Sequence, residues 1–373
     1  MAIDFDVRKL PEYLEFDTMH IAKAKARQKA FWAGEKIDYP LYFIGGTLTP
    51  EQETIPNPNY QELYNSPELM LCSEIRQACA FANGKSDAVP SIRVNMGCGI
   101  TMSCLGLAQE TFPDKMPWLK EHMNKEQISR LTPDDIKIQG DFARGLEIIH
   151  FYKEIMGDSI AIFVMDTQGP FDLAHLLMGD DLFLELYDDP AFVHHLMNLM
   201  LELGTKTIRW MKDAIGEPCT SCYYDKSIYS ENYGIRICED TTTLLGDAQI
   251  REFAVPYSQK LAQRFGGAFC HYCGRNDLLT MAQLEIPEFK TINFGLIPGK
   301  LYDHDFYQEM ERVEKAVKVY RGWWPVLPDE SYHDYLKRMH YFAVKGIQTP
   351  CLEMDSAGKF KTVEEIGEYW KSL

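Results

Sequence analysis

The sequence predicts an α/β chain folded as a single (β/α)₈ TIM barrel, with an N-terminal helical extension and inserted helices over the barrel mouth. Three observations predict it. Short apolar, β-branched runs recur between long amphipathic segments, the pattern of parallel strands alternating with helices. Eight such runs are present, which favours a closed barrel over an open doubly wound sheet. Polar and ionisable residues gather where these runs end, the place where barrel enzymes carry their catalytic groups. A length of 373 residues suits one such domain, 1–373, with insertions.

Residues 1–36 read as a helical preamble over the bottom of the barrel, because Met19 to Ala33 is rich in Ala, Lys and Arg and contains no strand-like run. The eight strand positions follow: Pro40 to Gly45, Ser91 to Met96, Ile160 to Met165, Gly234 to Cys238, Ala268 to Tyr272, Phe289 to Phe294, Val317 to Arg321, and Ile347 to Leu352. Helices are expected over Pro190 to Trp210, where Phe192, His195, Leu196 and Leu199 keep helical spacing, and over Ala248 to Phe265, Asp305 to Ala316 and Asp334 to Lys345. The stretches 46–90 and 97–159 carry Pro and acidic residues and are expected to add helices and loops over the mouth rather than a second domain.

A formal net charge of -17, without a Lys/Arg cluster, argues against direct binding to nucleic acid or an anionic membrane. No run is long and apolar enough to span a bilayer, and the N-terminus lacks signal-peptide character, so a cytoplasmic protein is expected. Ten cysteines in a chain of this length, many in apolar segments such as Ile235-Arg236-Ile237-Cys238, read as reduced thiols. Cys219-x-x-Cys222 has neither a second C-x-x-C nor a thioredoxin-like setting and reads as an incidental loop pair. His194-His195 falls on a helix with one residue toward the core and one toward solvent, and no nucleotide-binding, metalloprotease or serine-hydrolase motif is present.

The chemistry concentrates in Phe269-Cys270-His271-Tyr272-Cys273-Gly274, with Cys351 later in the chain. On a strand, residues i and i+2 share a face, so His271 and Cys273 project together. That pair alone also fits a core histidine beside an inert thiol. Cys351, at the end of another predicted strand, makes up the three soft ligands of a catalytic zinc site with one open position. Fifth and eighth strands are not neighbours, so these ligands would meet across the mouth of a closed barrel. Glu239 and Asp240, ending the fourth run, are candidates for catalysis, for a fourth ligand, or for orienting His271; Asp240 equally reads as the N-cap of the segment after Thr241-Thr242-Thr243. Arg93, Asn95, Asp166, Gln168, Asn293, Arg321 and Trp323 stand at the other strand ends and are expected to bind substrate. Zinc held by two thiolates and an imidazole is suited to lowering the pKa of an incoming thiol, and alkyl transfer to sulfur is the natural use.

At these residues the chain resembles the uroporphyrinogen decarboxylase superfamily, which includes the methylcobamide:thiol methyltransferases of methanogens and related corrinoid-dependent demethylase systems. Gly169-Pro170-Phe171-Asp172-Leu173-Ala174, Leu177-Met178-Gly179-Asp180, Leu186-Tyr187-Asp188-Asp189-Pro190 and the stretch from Glu239-Asp240 to Phe253-Ala254-Val255-Pro256-Tyr257 carry the likeness. The decarboxylase branch has an R-Q-A-G-R element, an F-D-S-W segment and a late G-H pair; here Arg27-Gln28-Lys29-Ala30, Cys238-Glu239-Asp240-Thr241 and Pro350-Cys351 stand instead. The methyltransferase branch has H-x-C and a later C holding zinc, matched by His271, Cys273 and Cys351. The resemblance implies a (β/α)₈ fold and transfer of a methyl group from a methylated corrinoid, usually carried on a corrinoid protein, to a small-molecule acceptor such as coenzyme M or tetrahydrofolate. Porphyrinogen decarboxylation is the alternative within the family, and a non-catalytic barrel that binds a corrinoid or another ligand is the alternative outside enzymology. The sequence leaves the oligomeric state open.

Overall fold

The computed structural model describes residues 5–14, 16–295 and 305–373; residues 1–4 and 15 of the predicted preamble lie outside these. Among the described residues the strands are β1 (Ser91–Arg93), β2 (Gln109–Glu110), β3 (Trp118–Leu119), β4 (Ala161–Phe163), β5 (Cys222–Tyr224), β6 (Ile228–Ser230), β7 (Ile235–Cys238), β8 (Ala268–Cys273), β9 (Phe289–Gly295), β10 (Val319–Trp323) and β11 (Gln348–Cys351). The order β11-β10-β9-β8-β7 forms one continuous parallel sheet, and β1 pairs in parallel with β4. Single parallel bridges extend this line at both ends: Gln168, just past β4, meets Cys238, and Phe43 meets Cys351. The predicted strand Pro40 to Gly45 is thus reduced to one bridge. Its other side meets the chain ahead of β1 through residues 86 and 87, where Asp87 donates its amide to the carbonyl of Tyr42 and accepts the Tyr42 amide on its carboxylate, both at 3.1 Å. Side chains replace a ladder at this seam. The architecture is the α/β TIM barrel the sequence predicts.

The helices start where local chemistry satisfies their first amides. Asp17 caps Thr18–Trp32, Ser66 caps Pro67–Asn83, and Asp189 caps Pro190–Ile215, the last two with Pro in the first turn, where a missing N–H costs nothing. In Pro190–Ile215, Phe192, Leu196 and Leu199 are buried and His195 is exposed, so the buried stripe runs without it. The expected helix Ala248 to Phe265 is broken into a short turn, a π-helical stretch Ile250–Ala254, and Val255–Gln263. Pro256 explains the break: it lacks an amide and crowds the carbonyl four residues back, so the turn before it widens. Helices Pro67–Asn83 and Gly140–Met156 fill the two long insertions.

A hairpin absent from the predicted strands, β5 and β6, sits between Pro190–Ile215 and β7, at the end of the barrel where the strands begin. Three residues, Asp225 to Ser227, join the innermost pair Tyr224 and Ile228, and Asp225 and Lys226 both have positive φ, 51° and 54°, as tight hairpin turns require at such positions. Helix Thr18–Trp32 packs on this hairpin: Gln28 donates to the carbonyls of Asp87 and Ser227 and accepts from the amide of Tyr229, while Trp32 meets Phe269 edge-on. All ten cysteines are free thiols, and among the described residues no helix is long and apolar enough to cross a membrane.

Candidate metal centre

Along β8 the side chains of Phe269, His271 and Cys273 share one face and those of Cys270 and Tyr272 the other. The Nε2 of His271 lies 3.3 Å from the Sγ of Cys273. Residue 293 is the partner of His271 on β9, and the Oδ1 of Asn293 takes the Nδ1 proton of the imidazole. The orientation of that amide is itself fixed, because its Nδ2 donates to the carbonyl of Arg321 at 2.6 Å. The backbone on β10 leaves room for it at Gly322, where any Cβ would collide with the Asn293 Nδ2. With Nδ1 committed, the lone pair of Nε2 faces Cys273 and Asp240, whose Oδ1 is 4.0 Å away. Burial, reinforced by Arg236 and opposed by Asp240 and Asn293, lowers the His271 pKa to about 4, so the ring is neutral at pH 7. The orienting role expected of Glu239 or Asp240 falls to Asn293.

Asp240 is half exposed at the mouth and accepts the amide of Cys273 at 2.6 Å. Its side chain does not cap the turn that follows, which closes through the Asp240 carbonyl instead. Cys238, on β7 directly opposite His271, completes a compact group: ligand atoms of Cys238, Asp240 and His271 lie within 4.8 Å of one another. Burial raises the Cys273 thiol to about 11 and lifts those of Cys238 and Cys351 as well. Without a metal these sulfurs carry protons, and a divalent cation binding here must displace them. An imidazole nitrogen whose only partner is a thiol, with a second thiol and a carboxylate within reach, forms a donor set that suits zinc.

Cys351 ends β11, three strand steps from β8, about 14 Å along a sheet surface before curvature shortens the chord. It and His271 line the same cavity of about 500 Å³. Six other expected site residues line it too: Arg93, Asn95, Asp166, Asn293, Arg321 and Trp323. Cys273, Glu239 and Asp240 are not on its wall, and Gln168 reaches it indirectly, by donating to Asp166. Burial works to raise the Asp166 pKa, but Arg236 and Arg93, at 3.5 and 3.2 Å, outweigh it and hold the carboxyl below its usual range. Arg321 is buried, paired with Asp225 at 2.9 Å and bonded to Ser227, and its Nε has no hydrogen-bond partner among the described residues. Trp323 is tied by its indole N–H to Glu353 at 2.7 Å.

Glu239 points away from the cavity. Its carboxylate accepts the hydroxyls of Thr242, at 2.7 Å, and Ser258, and sits against Gly169, where a Cβ would collide with it. Asp172 beside it accepts the amides of Asp240 and Thr241 at 2.7 and 3.0 Å. Burial raises the Glu239 pKa to about 7, against the pull of both hydroxyls, and raises Asp172 well above a normal carboxylate. Sequence reasoning passed over Cys238, Arg236 and the Asp225–Lys226 turn. The first two had a signal, since Arg236 and Cys238 alternate onto one face of a strand that ends in acids.

The family model described as Uroporphyrinogen decarboxylase (URO-D) matches residues 23–295. A solved structure, a methyltransferase from Methanosarcina mazei, superposes with a TM-score of 0.63 over 94% of this chain and 98% of that one, at 16% sequence identity. At that identity the likeness is one of fold. No curated protein sequence matches the chain.

Proposed function

This chain belongs to the uroporphyrinogen decarboxylase family, and from that premise we propose that it is a zinc-dependent methyltransferase that moves a methyl group from a methylated corrinoid to a thiol or folate acceptor. One observation carries the reading: the His271 imidazole has its Nδ1 proton committed to Asn293 and its Nε2 directed at Cys273, at a strand end beside an open cavity. A neutral ring whose Nε2 meets only a thiol is a ligand pair, because a divalent cation that displaces the thiol proton takes both the nitrogen and the sulfur. The name of the Methanosarcina mazei protein points the same way.

His271 and Cys273 would hold the zinc, with Cys351 reaching it from the facing wall of the cavity. When bound, the metal lowers the pKa of an acceptor thiol and keeps the thiolate ready for attack. Asn293 holds the imidazole in the ligating tautomer, and Asp240 at the mouth is placed to take the acceptor's proton. In the transfer the acceptor sulfur forms a bond to the methyl carbon as the cobalt–carbon bond breaks, its electron pair staying on the corrinoid. A cavity of about 500 Å³ is of the size that takes a small-molecule acceptor. The methyl donor in this reading is a corrinoid carried on a protein that docks over the mouth. Ten free thiols fit a reducing, cytoplasmic compartment.

The test is metal analysis of the purified protein together with methyl transfer from methylcobalamin to small thiols and to tetrahydrofolate. We expect about one zinc per chain, as a three-ligand catalytic site requires, and transfer that stops on chelation. Methyl transfer at full rate in metal-free protein would remove the proposal. The second reading, porphyrinogen decarboxylation, draws on Arg93, Arg236, Lys226 and Arg321 lining the cavity, cations that suit a polycarboxylate. Arg27 and Gln28, however, are committed to Asp38, Asp87 and the hairpin and do not line the cavity. Conversion of uroporphyrinogen by the metal-free protein would favour that reading.

A further inference from the structure

Cys238 stands one strand over from His271, in direct register with it, and alternation along β7 puts it on the face that carries Arg236 into the cavity. It is almost fully buried, yet its neighbours on that face are other potential donors rather than packing residues. Donor atoms on a tetrahedral zinc, at about 2.0 to 2.3 Å from the metal, lie roughly 3.3 to 3.8 Å from one another. The His271 Nε2 to Cys273 Sγ separation of 3.3 Å already meets that requirement. The group of Cys238, Asp240 and His271, all within 4.8 Å, needs to contract by about an ångström to meet it as well.

We propose that Cys238 is a ligand of the metal held by His271 and Cys273, with Asp240 the carboxylate next to it. The proposal rests on the zinc reading of this site. It places the core of the donor set on two adjacent strands, β7 and β8, and makes Cys351 the ligand that comes from a distance. A donor set drawn from two neighbouring strands holds its metal when the Cys351 sulfur is removed, so binding and turnover separate.

The experiment replaces zinc with cobalt(II) in the full chain, because thiolate-to-cobalt charge transfer in the near ultraviolet scales with the number of sulfur ligands. Cys238→Ala and Cys238→Ser are each expected to lower zinc affinity about tenfold or more and to remove one sulfur's share of that absorption. Zinc X-ray absorption of Cys351→Ala supplies a second readout that requires no change at Cys238. Two sulfurs in the first shell are expected there, from Cys238 and Cys273; a single sulfur would overturn the proposal. Wild-type affinity and absorption in both Cys238 variants, with loss of both in Cys273→Ala, would also overturn it while leaving the zinc reading intact. Failure of the unaltered protein to bind either metal would end both.

Discussion

Glu239 and Asp240 are consecutive carboxylates at the end of one strand, and they have opposite surroundings. Asp240 turns toward the cavity side, stays half exposed and shares its neighbourhood with Cys238, His271 and Cys273. Glu239 turns the other way into a dry nest, where two hydroxyls saturate it and Asp172 lies alongside. Residue type does not separate the two regions; partnership does. On the cavity side the Nε2 of His271 meets only the Cys273 thiol and Asp240 accepts a single amide, so a metal that displaces the thiol proton finds its ligands already together. In the nest every acceptor is engaged with a hydroxyl or an amide, so its carboxylates hold the βα loops in place and leave nothing for a substrate.

Removing the imidazole breaks the comparison hardest. His271→Ala is expected to lower zinc affinity by more than about 100-fold, since loss of a direct ligand exceeds the 10- to 100-fold cost of losing a group behind one. Methyl transfer should vanish with it, while the metal-free variant still unfolds cooperatively, because the nest is untouched. Zinc retained at wild-type affinity, measured by competition with a chromogenic chelator, would mean that the cavity-side donors are as inert as those in the nest. Asn293→Ala comes next. It removes the acceptor that fixes the tautomer but no ligand, and a loss of about 10- to 100-fold in zinc affinity is expected. An unchanged affinity would show that the ring is oriented by the metal itself.

The unequal legibility of the two regions has a physical cause. His271 and Cys273 are readable because a two-residue repeat on a strand fixes their common face whatever the tertiary context. The role of Asn293 depends on the register between β8 and β9, which pairs it with His271, and register is a property of two segments far apart in sequence. Cys238 was hidden by its own strand, since Ile235-Arg236-Ile237-Cys238 reads as a buried apolar run until the partner strand shows which face looks into the barrel. The β5–β6 hairpin went unread because its turn is made by Asp225 and Lys226, without the Asn-Gly or Gly that announces such turns. The first strand was legible as an apolar run, but Asp87 supplies by side chain the bonds that a ladder would have made.

Space tests the nest in the same way that ligands test the cavity side. Gly169 has ordinary backbone angles, so an alanine there adds no backbone strain and only drives a methyl group into the Glu239 carboxylate. Gly169→Ala should destabilise the protein by about 1 to 3 kcal/mol, the usual cost of overpacking, with zinc affinity unchanged. Much of that loss should disappear when Glu239→Ala is the background, a coupling that a double-mutant cycle in urea reads directly. Additive effects would mean that the two groups do not touch.

The smallest effect is a slope in pH. The Glu239 carboxyl has its pKa raised by burial from 4.5 to about 7 in the folded chain. Between those values the unfolded chain has released this proton and the folded chain still holds it, so stability falls as pH rises from about 4.5 to 7 and is level above. Asp172 is shifted in the same direction and adds to the slope. Asp166, beside the cavity, works oppositely: its depressed pKa gives stability that is present above its ordinary value of 3.8 and is lost only as pH falls below it, outside the window. Glu239→Gln keeps the shape and removes the ionisation, so its stability between pH 4.5 and 7, measured by urea unfolding on metal-free protein, should be flatter than wild type and should cross to the more stable side near neutrality. Equal slopes in the two proteins would show that the nest keeps Glu239 charged, and the contrast with Asp240 would then lie in access to the cavity alone.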